Sequence, residues 1–162
     1  MTEITRAFIH GLDSSSRGTK GSYFRKRYPG MIMGDYTGSL EERMEKLYAD
    51  LAGKKNLILV GSSYGGLMAA IFACRREPLV RRLILLAPAL VHGDFNARFG
   101  KPVRIPVVLY HGRLDDVVPP EPTQRIAERL FSRLEHHLVE DDHNLHRIFP
   151  LLDWNALLEI EG

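Results

Sequence analysis

Leu57-Ile58-Leu59-Val60-Gly61-Ser62-Ser63-Tyr64-Gly65-Gly66 joins an apolar run to a helix-like stretch, Leu67 to Cys74, and this junction decides the fold. Four consecutive apolar residues read as a strand covered on both faces. Gly61-Ser62-Ser63-Tyr64-Gly65 then has the G-x-S-x-G form of a sharp strand-to-helix turn, in which the flanking glycines let the two backbones approach closely. The centre of the pattern is Ser63 and not Ser62, because only Ser63 has a glycine two residues away on each side. Such a turn lifts the serine hydroxyl above the end of the sheet. The five-residue pattern is weak alone; the strand before it and the helix after it give it meaning.

Outward from this junction, strands and helices alternate with no repeat or low-complexity linker. Strands are expected at Arg6 to His10, Met31 to Met33, Asn56 to Val60, Leu83 to Leu86, Val107 to Tyr110 and His137 to Glu140. Ser39-Leu40-Glu41-Glu42 reads as a capping box opening a helix, with Leu40, Met44, Leu47 and Leu51 on one face and Gly53 at its end. A second helix is expected over 121–132, with Ile126, Leu130 and Phe131 inward. Leu151, Trp154, Leu157 and Leu158 mark a C-terminal helix, where Trp154 reads as core. Alternation of this kind predicts a doubly wound α/β layer, mainly parallel and six-stranded, with helices on both faces. Ligands of such sheets bind beyond the carboxyl ends of the strands.

Composition is compatible with one globular domain over 1–162 and argues for no special partner. Hydrophobic content of 44% and charged content of 26% are ordinary, so neither disorder nor a membrane protein is indicated. The net charge of +2 and the dispersed clusters Arg25-Lys26-Arg27, Arg75-Arg76 and Arg81-Arg82 do not make a nucleic-acid-binding surface. They are expected to be solvated. Cys74 is the single cysteine, so no intrachain disulfide forms; the expectation is a buried thiol in a reducing compartment. Met1-Thr2-Glu3-Ile4 lacks the basic start of a signal peptide, and no apolar run reaches the ~20 residues that span a bilayer. A cytoplasmic location with no membrane partner is expected.

A serine hydroxyl becomes nucleophilic only when a base takes its proton, and an acid must hold that base in one tautomer. Candidates for both follow Ser63, each just after an expected strand. His111-Gly112-Arg113-Leu114-Asp115-Asp116-Val117-Val118-Pro119 offers two aspartates, and Asp141-Asp142-His143-Asn144-Leu145-His146 offers two histidines. His136 and His137 also compete, but they sit in a strand, where successive side chains face opposite ways. His143 opens the following loop and is better placed. His10 and His111 precede glycines at strand ends, where hydrogen-bonded structural roles are expected. The His/Asp density of this region lacks any metal-ligand pattern such as H-E-x-x-H, so no metal is expected. Gly61-Ser-Ser-Tyr-Gly-Gly lacks the Lys-Ser/Thr ending of a phosphate loop, so no nucleotide cofactor is expected either.

At these residues the chain resembles the α/β-hydrolase superfamily, and within it the small, nearly lidless serine esterases. The resemblance rests on Phe8-Ile9-His10-Gly11-Leu12-Asp13-Ser14-Ser15, on Gly61-Ser62-Ser63-Tyr64-Gly65-Gly66, on His111-Gly-x-x-Asp115-x-x-Val118-Pro119, and on Asp142-His143. It implies Ser63 as nucleophile, Asp115 as acid in preference to Asp116, and His143 as base in preference to His146. It further implies an oxyanion hole built from the backbone N–H groups of Leu12 and Tyr64, and a strand order of 2-1-3-4-5-6.

Members of the superfamily commonly carry a cap before the strand that bears the acid. Here that interval is only residues 87–106, room for a short flap, in which Leu90, Val91, Phe95 and Phe99 could line an acyl pocket or simply pack in the core. A small-molecule acyl substrate is expected, a short-chain ester or thioester. Asp115-x-x-Val118-Pro119 also resembles prolyl-oligopeptidase-like catalytic domains, so a peptidase is the alternative enzyme. A non-catalytic interaction protein on the same fold is the alternative outside enzymology.

Overall fold

The computed structural model of the chain describes residues 3–95 and 101–161. Five parallel strands form one sheet: β1 (Thr5–Ile9), β2 (Leu57–Ser62), β3 (Val80–Leu86), β4 (Val107–Gly112) and β5 (Leu134–Val139), in the spatial order β1-β2-β3-β4-β5. Every neighbouring pair is parallel. The helices are α1 (Thr19–Arg27), α2 (Leu40–Asp50), α3 (Tyr64–Arg75), α4 (Pro120–Leu130) and the single turn α5 (Trp154–Leu157). The fold is the doubly wound α/β layer that the alternation predicts. One count differs. The strand expected at Met31 to Met33 reduces to a single parallel bridge between Ile32 and Ala7. It nevertheless lies beside β1, where the expected order puts it, and exchanges two backbone hydrogen bonds there, Phe8 to Ile32 and Ile32 to Arg6. Pro29-Gly30 before it and Gly34 after it leave too short a run to make a ladder.

The period-2 alternation of the strands divides the core in two. Ala7, Ile9, Leu57, Leu59, Leu83, Leu85, Val107 and Leu109 face a layer built from α2, α3 and α4. Phe8, Ile58, Val60, Ile84 and Leu86 face the other way, onto α1 and the C-terminal segment. Helix α3 lies in the middle of the first layer and is buried all round from Gly65 to Ala73, which explains why its sequence is apolar without a polar face. Helix α2 carries the expected capping box, with Ser39 and Glu42 each accepting the other's backbone N–H. Cys74 is half-buried at the end of α3, and burial pushes its thiol up to about 12, so it stays protonated.

Helix α1 is absent from the sequence reading. Phe24 anchors it, fully buried and edge-on to Trp154 with ring centroids 4.8 Å apart. Trp154 is core, as expected, but its helix is one turn long and Leu151 is exposed. The basic pairs are not all solvated either. Arg82 donates to the carbonyls of Ala156 and Leu157, and Arg6 to those of Leu158 and Glu159. Arg6, Ile58 and Arg82 share one register across β1, β2 and β3, so the two guanidinium groups grip the carboxyl end of α5 from the sheet.

The junction that decides the fold is closed by contacts only glycine permits. A Cβ on Gly65 would lie 2.0 Å from the carbonyl oxygen of Ile9, and one on Gly61 2.5 Å from that of Gly65. Backbone on both sides leaves no room to yield. Gly65→Ala should therefore destabilise the chain by about 3 kcal/mol or more, or prevent folding. Gly30→Ala, with nothing within 4 Å, should stay within about 0.5 kcal/mol of the parent. Urea unfolding of the two variants measures both.

Candidate active site

Ser63 stands between β2 and α3 with φ 55° and ψ −116°, a conformation side chains other than glycine rarely adopt. Holding it there costs about 1–3 kcal/mol, and the surroundings over-determine it. The Ser63 N–H donates to Leu86, and its carbonyl accepts from Gly66, Leu67 and Ala89. The turn ends β2 and starts α3 at one residue. Its hydroxyl thus projects from the carboxyl edge of the sheet, next to the loop after β1. A Cβ on Gly11 would meet the Ser63 Cβ at 3.2 Å, so the two loops lie against each other.

The loops after β4 and β5 bring the candidate acid and base to the same edge. Gly112 makes this possible: a Cβ there would lie 2.4 Å from the Asp141 carbonyl oxygen. The Leu114 N–H donates to that same carbonyl. His143 then bridges the site. Its Nε2 lies 3.1 Å from Ser63 Oγ and its Nδ1 2.7 Å from Asp115 Oδ2. The Asp115 side chain is fully buried and that of His143 is 15% exposed, so the pair is shielded while the serine end stays reachable.

The competing residues are elsewhere. Asp116 is exposed. His146 is exposed and its Nδ1 is 2.6 Å from Asp142 Oδ2, whose carboxyl this contact holds below its ordinary value. His137 stacks on Tyr110, and His136 has a buried Nε2 with no partner among the described residues. His10 is structural: its Nε2 accepts from the Tyr36 N–H at 2.9 Å, which puts the ring proton on Nδ1, donated to the Gly11 carbonyl at 2.7 Å. That bond fixes the Gly11–Leu12 peptide, whose N–H is the Leu12 amide. Asp35 accepts from the Ser16 N–H and secures the far end of the same loop. Among the described residues, the amides of Leu12 and Tyr64 donate to no hydrogen-bond partner.

Of the four residues offered for an acyl pocket or the core, two pack in the core. Leu90 and Phe95 are core residues, 0% and 7% exposed. The chain turns back at Gly93, where a Cβ would lie 2.6 Å from the Phe95 ring and 2.8 Å from Leu67, so Phe95 packs beneath the loop. Val91 is half-buried. Phe99 lies outside the described residues. Large exposed apolar side chains instead follow β1 and β4 at the carboxyl edge: Leu12, Leu114 and Val117, 53%, 61% and 63% exposed.

Asp141 and His111 gave no functional signal in the sequence. Asp141 is buried, and its carboxylate accepts the N–H groups of Asp142, Arg147 and Ile148. It folds the loop that carries His143 around itself. The only legible sign is its place directly after a strand. Lys20, from α1, donates to the Asn144 carbonyl and braces that loop from outside. Among the described residues, no group of three or more His, Cys, Asp or Glu side chains is arranged to hold a metal ion, and no helix is long and apolar enough to cross a membrane.

A parallel sheet whose central helix α3 starts from a strained serine, with a histidine and a buried aspartate brought to it by later loops, is a hydrolase-type architecture. The model of the α/β-hydrolase fold family matches residues 9–103, more than half of the chain, which therefore belongs to that family. Similar solved structures include mouse alpha/beta hydrolase domain-containing protein 10, at 21% identity and a TM-score of 0.74, covering 96% of this chain and 85% of that one. Est1E from Butyrivibrio proteoclasticus is similar at 17% identity and a TM-score of 0.72, over 96% and 85% of the two chains. The monoacylglycerol lipase of Paleococcus ferrophilus follows at 17% and 0.69, over 95% and 93%. At these identities the likeness is one of fold. No curated protein is similar enough in sequence to count as a match.

The loop built on Asp141 generates a prediction of its own. Asp141→Ala leaves three backbone donors without their acceptor and should destabilise the chain by about 2 kcal/mol or more. Asp116→Ala should change stability by less than about 0.5 kcal/mol. Chemical unfolding distinguishes them, and hydrogen exchange at 142–148 should accelerate in the Asp141 variant alone.

Proposed function

We propose that this chain is a serine hydrolase acting on small or short-chain carboxylic esters or thioesters through an acyl-enzyme. The observation that carries the reading is the continuous contact from Ser63 Oγ through the His143 ring to Asp115 Oδ2. With its Nδ1 proton held by Asp115, neutral His143 presents an unprotonated Nε2 to the Ser63 hydroxyl. Ser63 Oγ attacks the carbonyl carbon as its proton passes to His143. The carbonyl oxygen becomes an oxyanion, and the amides of Leu12 and Tyr64 are the donors proposed to receive it. The Tyr64 amide also opens α3, whose dipole favours negative charge at that end. Collapse breaks the ester or thioester bond, and the imidazolium returns its proton to the departing oxygen or sulfur. Water then repeats the sequence on the acyl-serine and releases the acid. Leu12, Leu114 and Val117 supply apolar surface for the substrate's carbon groups.

A fluorophosphonate should add once to the protein, on Ser63, and not to Ser63→Ala; labelling of Ser62 would overturn the assignment. Toward p-nitrophenyl acetate or butyrate, Asp115→Asn should lower kcat by up to about four orders of magnitude, with Asp116→Asn nearly unaffected. His143→Ala should be comparably severe and His146→Ala mild. Because His143 must be neutral to accept the serine proton, kcat/KM should be low in acid and rise to a plateau as His143 deprotonates. Butyrate should be preferred to palmitate, and amides should be cut more slowly. Preference for palmitate, or efficient peptide cleavage, would reject the short-chain ester assignment.

A further inference from the structure

The catalytic machinery just proposed uses one histidine, yet a second touches the same carboxylate. His111 is the penultimate residue of β4 and is fully buried. Its Nε2 lies 3.1 Å from Asp115 Oδ2 and 3.0 Å from the Val118 carbonyl oxygen. Both neighbours are acceptors, so the ring proton sits on Nε2 and is shared between them. Nδ1 is buried and finds no partner among the described residues, so a second ring proton would be stranded there. His111 is therefore a neutral donor. Burial, the largest influence, also holds its pKa below the ordinary value, against the raising effects of Val118 and Asp115.

Asp115 as a whole accepts four N–H groups. Oδ1 takes those of Val117 and Val118, each at 2.8 Å, and Oδ2 is divided between His143 and His111. The titratable groups facing His111 are Asp115 from its own loop, His143 from the loop after β5, which favours its neutral form, and His136 from β5 itself, whose own pKa burial and then His111 hold below the ordinary value. Glu128 of α4 acts in the opposite sense on His136, raising it.

We propose that His111 is a positioning residue: its Nε2–H locks the Asp115 carboxylate toward His143 and shares the charge that would otherwise act on His143 alone. The inference rests on the hydrolase reading for its catalytic meaning, but the coupling itself is a property of the free protein. Two consequences follow. Without the His111 donor, Oδ2 loses one of its two restraints, while the Val117 and Val118 amides still hold Oδ1 and keep the carboxylate against His143. Its undivided charge also stabilises imidazolium His143 more strongly, so His143 holds its proton to higher pH and the enzyme reaches its active form later.

The test is an NMR pH titration of the ring signals of His143, with thermal melting, in the parent, His111→Leu and His111→Gln. A glutamine amide nitrogen occupies nearly the place of Nε2 and keeps the donor; leucine removes it. His111→Leu should raise the His143 midpoint by about half a pH unit or more, and His111→Gln should keep it near the parent's. The plateau of kcat/KM should fall about tenfold or more in the leucine variant and recover substantially in the glutamine one. If leucine prevents folding, His111→Asn takes its place, because its amide is too short to reach Asp115. Identical His143 midpoints in all folded variants would overturn the proposal, as would equal activity losses with and without the donor. The titration needs no substrate. A parent protein that fails to react with a fluorophosphonate would reject the hydrolase reading, while the titration still decides the coupling.

Discussion

The strained backbone at Ser63 is the constraint on which the rest of the structure depends. A serine held at positive φ is stable only if neighbouring backbone prevents relaxation, and here it comes from three directions. The end of β3 accepts the Ser63 N–H, the loop after β3 binds its carbonyl through Ala89, and the end of β1 abuts Gly65. Each contact needs a parallel sheet whose strands end level with one another. The sheet order, the side chain-free glycines and the apolar helix α3 are thus parts of a single arrangement. It presents one hydroxyl at the sheet edge.

Around that hydroxyl, rigidity comes from backbone groups more than from side-chain packing. His10 holds the peptide before Leu12, Asp115 gathers the N–H groups of its own turn, and Asp141 gathers those of the turn that carries His143. A loop organised on a buried carboxylate needs no hydrophobic core of its own, because charged acceptors form strong bonds to several amides at once. This explains how residues far apart in the chain meet to within a hydrogen bond. It also makes the buried carboxylates vulnerable, since removing one strands several donors together.

The face of the sheet away from α3 has a different logic. Arg6 and Arg82 are carried by strands whose neighbours are apolar, and their guanidinium groups satisfy the last carbonyls of α5. Arg81 pairs with Glu159 beside them. Read as charges along a chain these arginines look solvated; across three strands in register they form a socket for the C-terminal turn. The aromatic group of Phe24, Phe149 and Trp154 fills the space beneath it. Together they explain how so short a helix is held on the sheet.

By itself the sequence determined the class of the fold, because unbroken apolar runs, a capping box and glycines around a serine carry physical meaning over a few residues. It also singled out Ser63, since the glycine spacing has one centre. It narrowed the candidate acid and base to short segments, because loops after strands of a parallel sheet share one edge. The resemblance favoured Asp115 over Asp116 and His143 over His146, but the burial of Asp115 against His143 and the exposure of the other two depend on how β4 and β5 align. The reduction of the strand at Ile32 to one bridge and helix α1 were hidden, and the choice between pocket and core for Leu90 and Phe95 was left open. Local pattern says that a residue is apolar, whereas neighbours distant in sequence decide which surface it meets. The same holds for His111 and Asp141: their polarity is visible in the chain, but the partners that give it a purpose exist only once the strands are side by side.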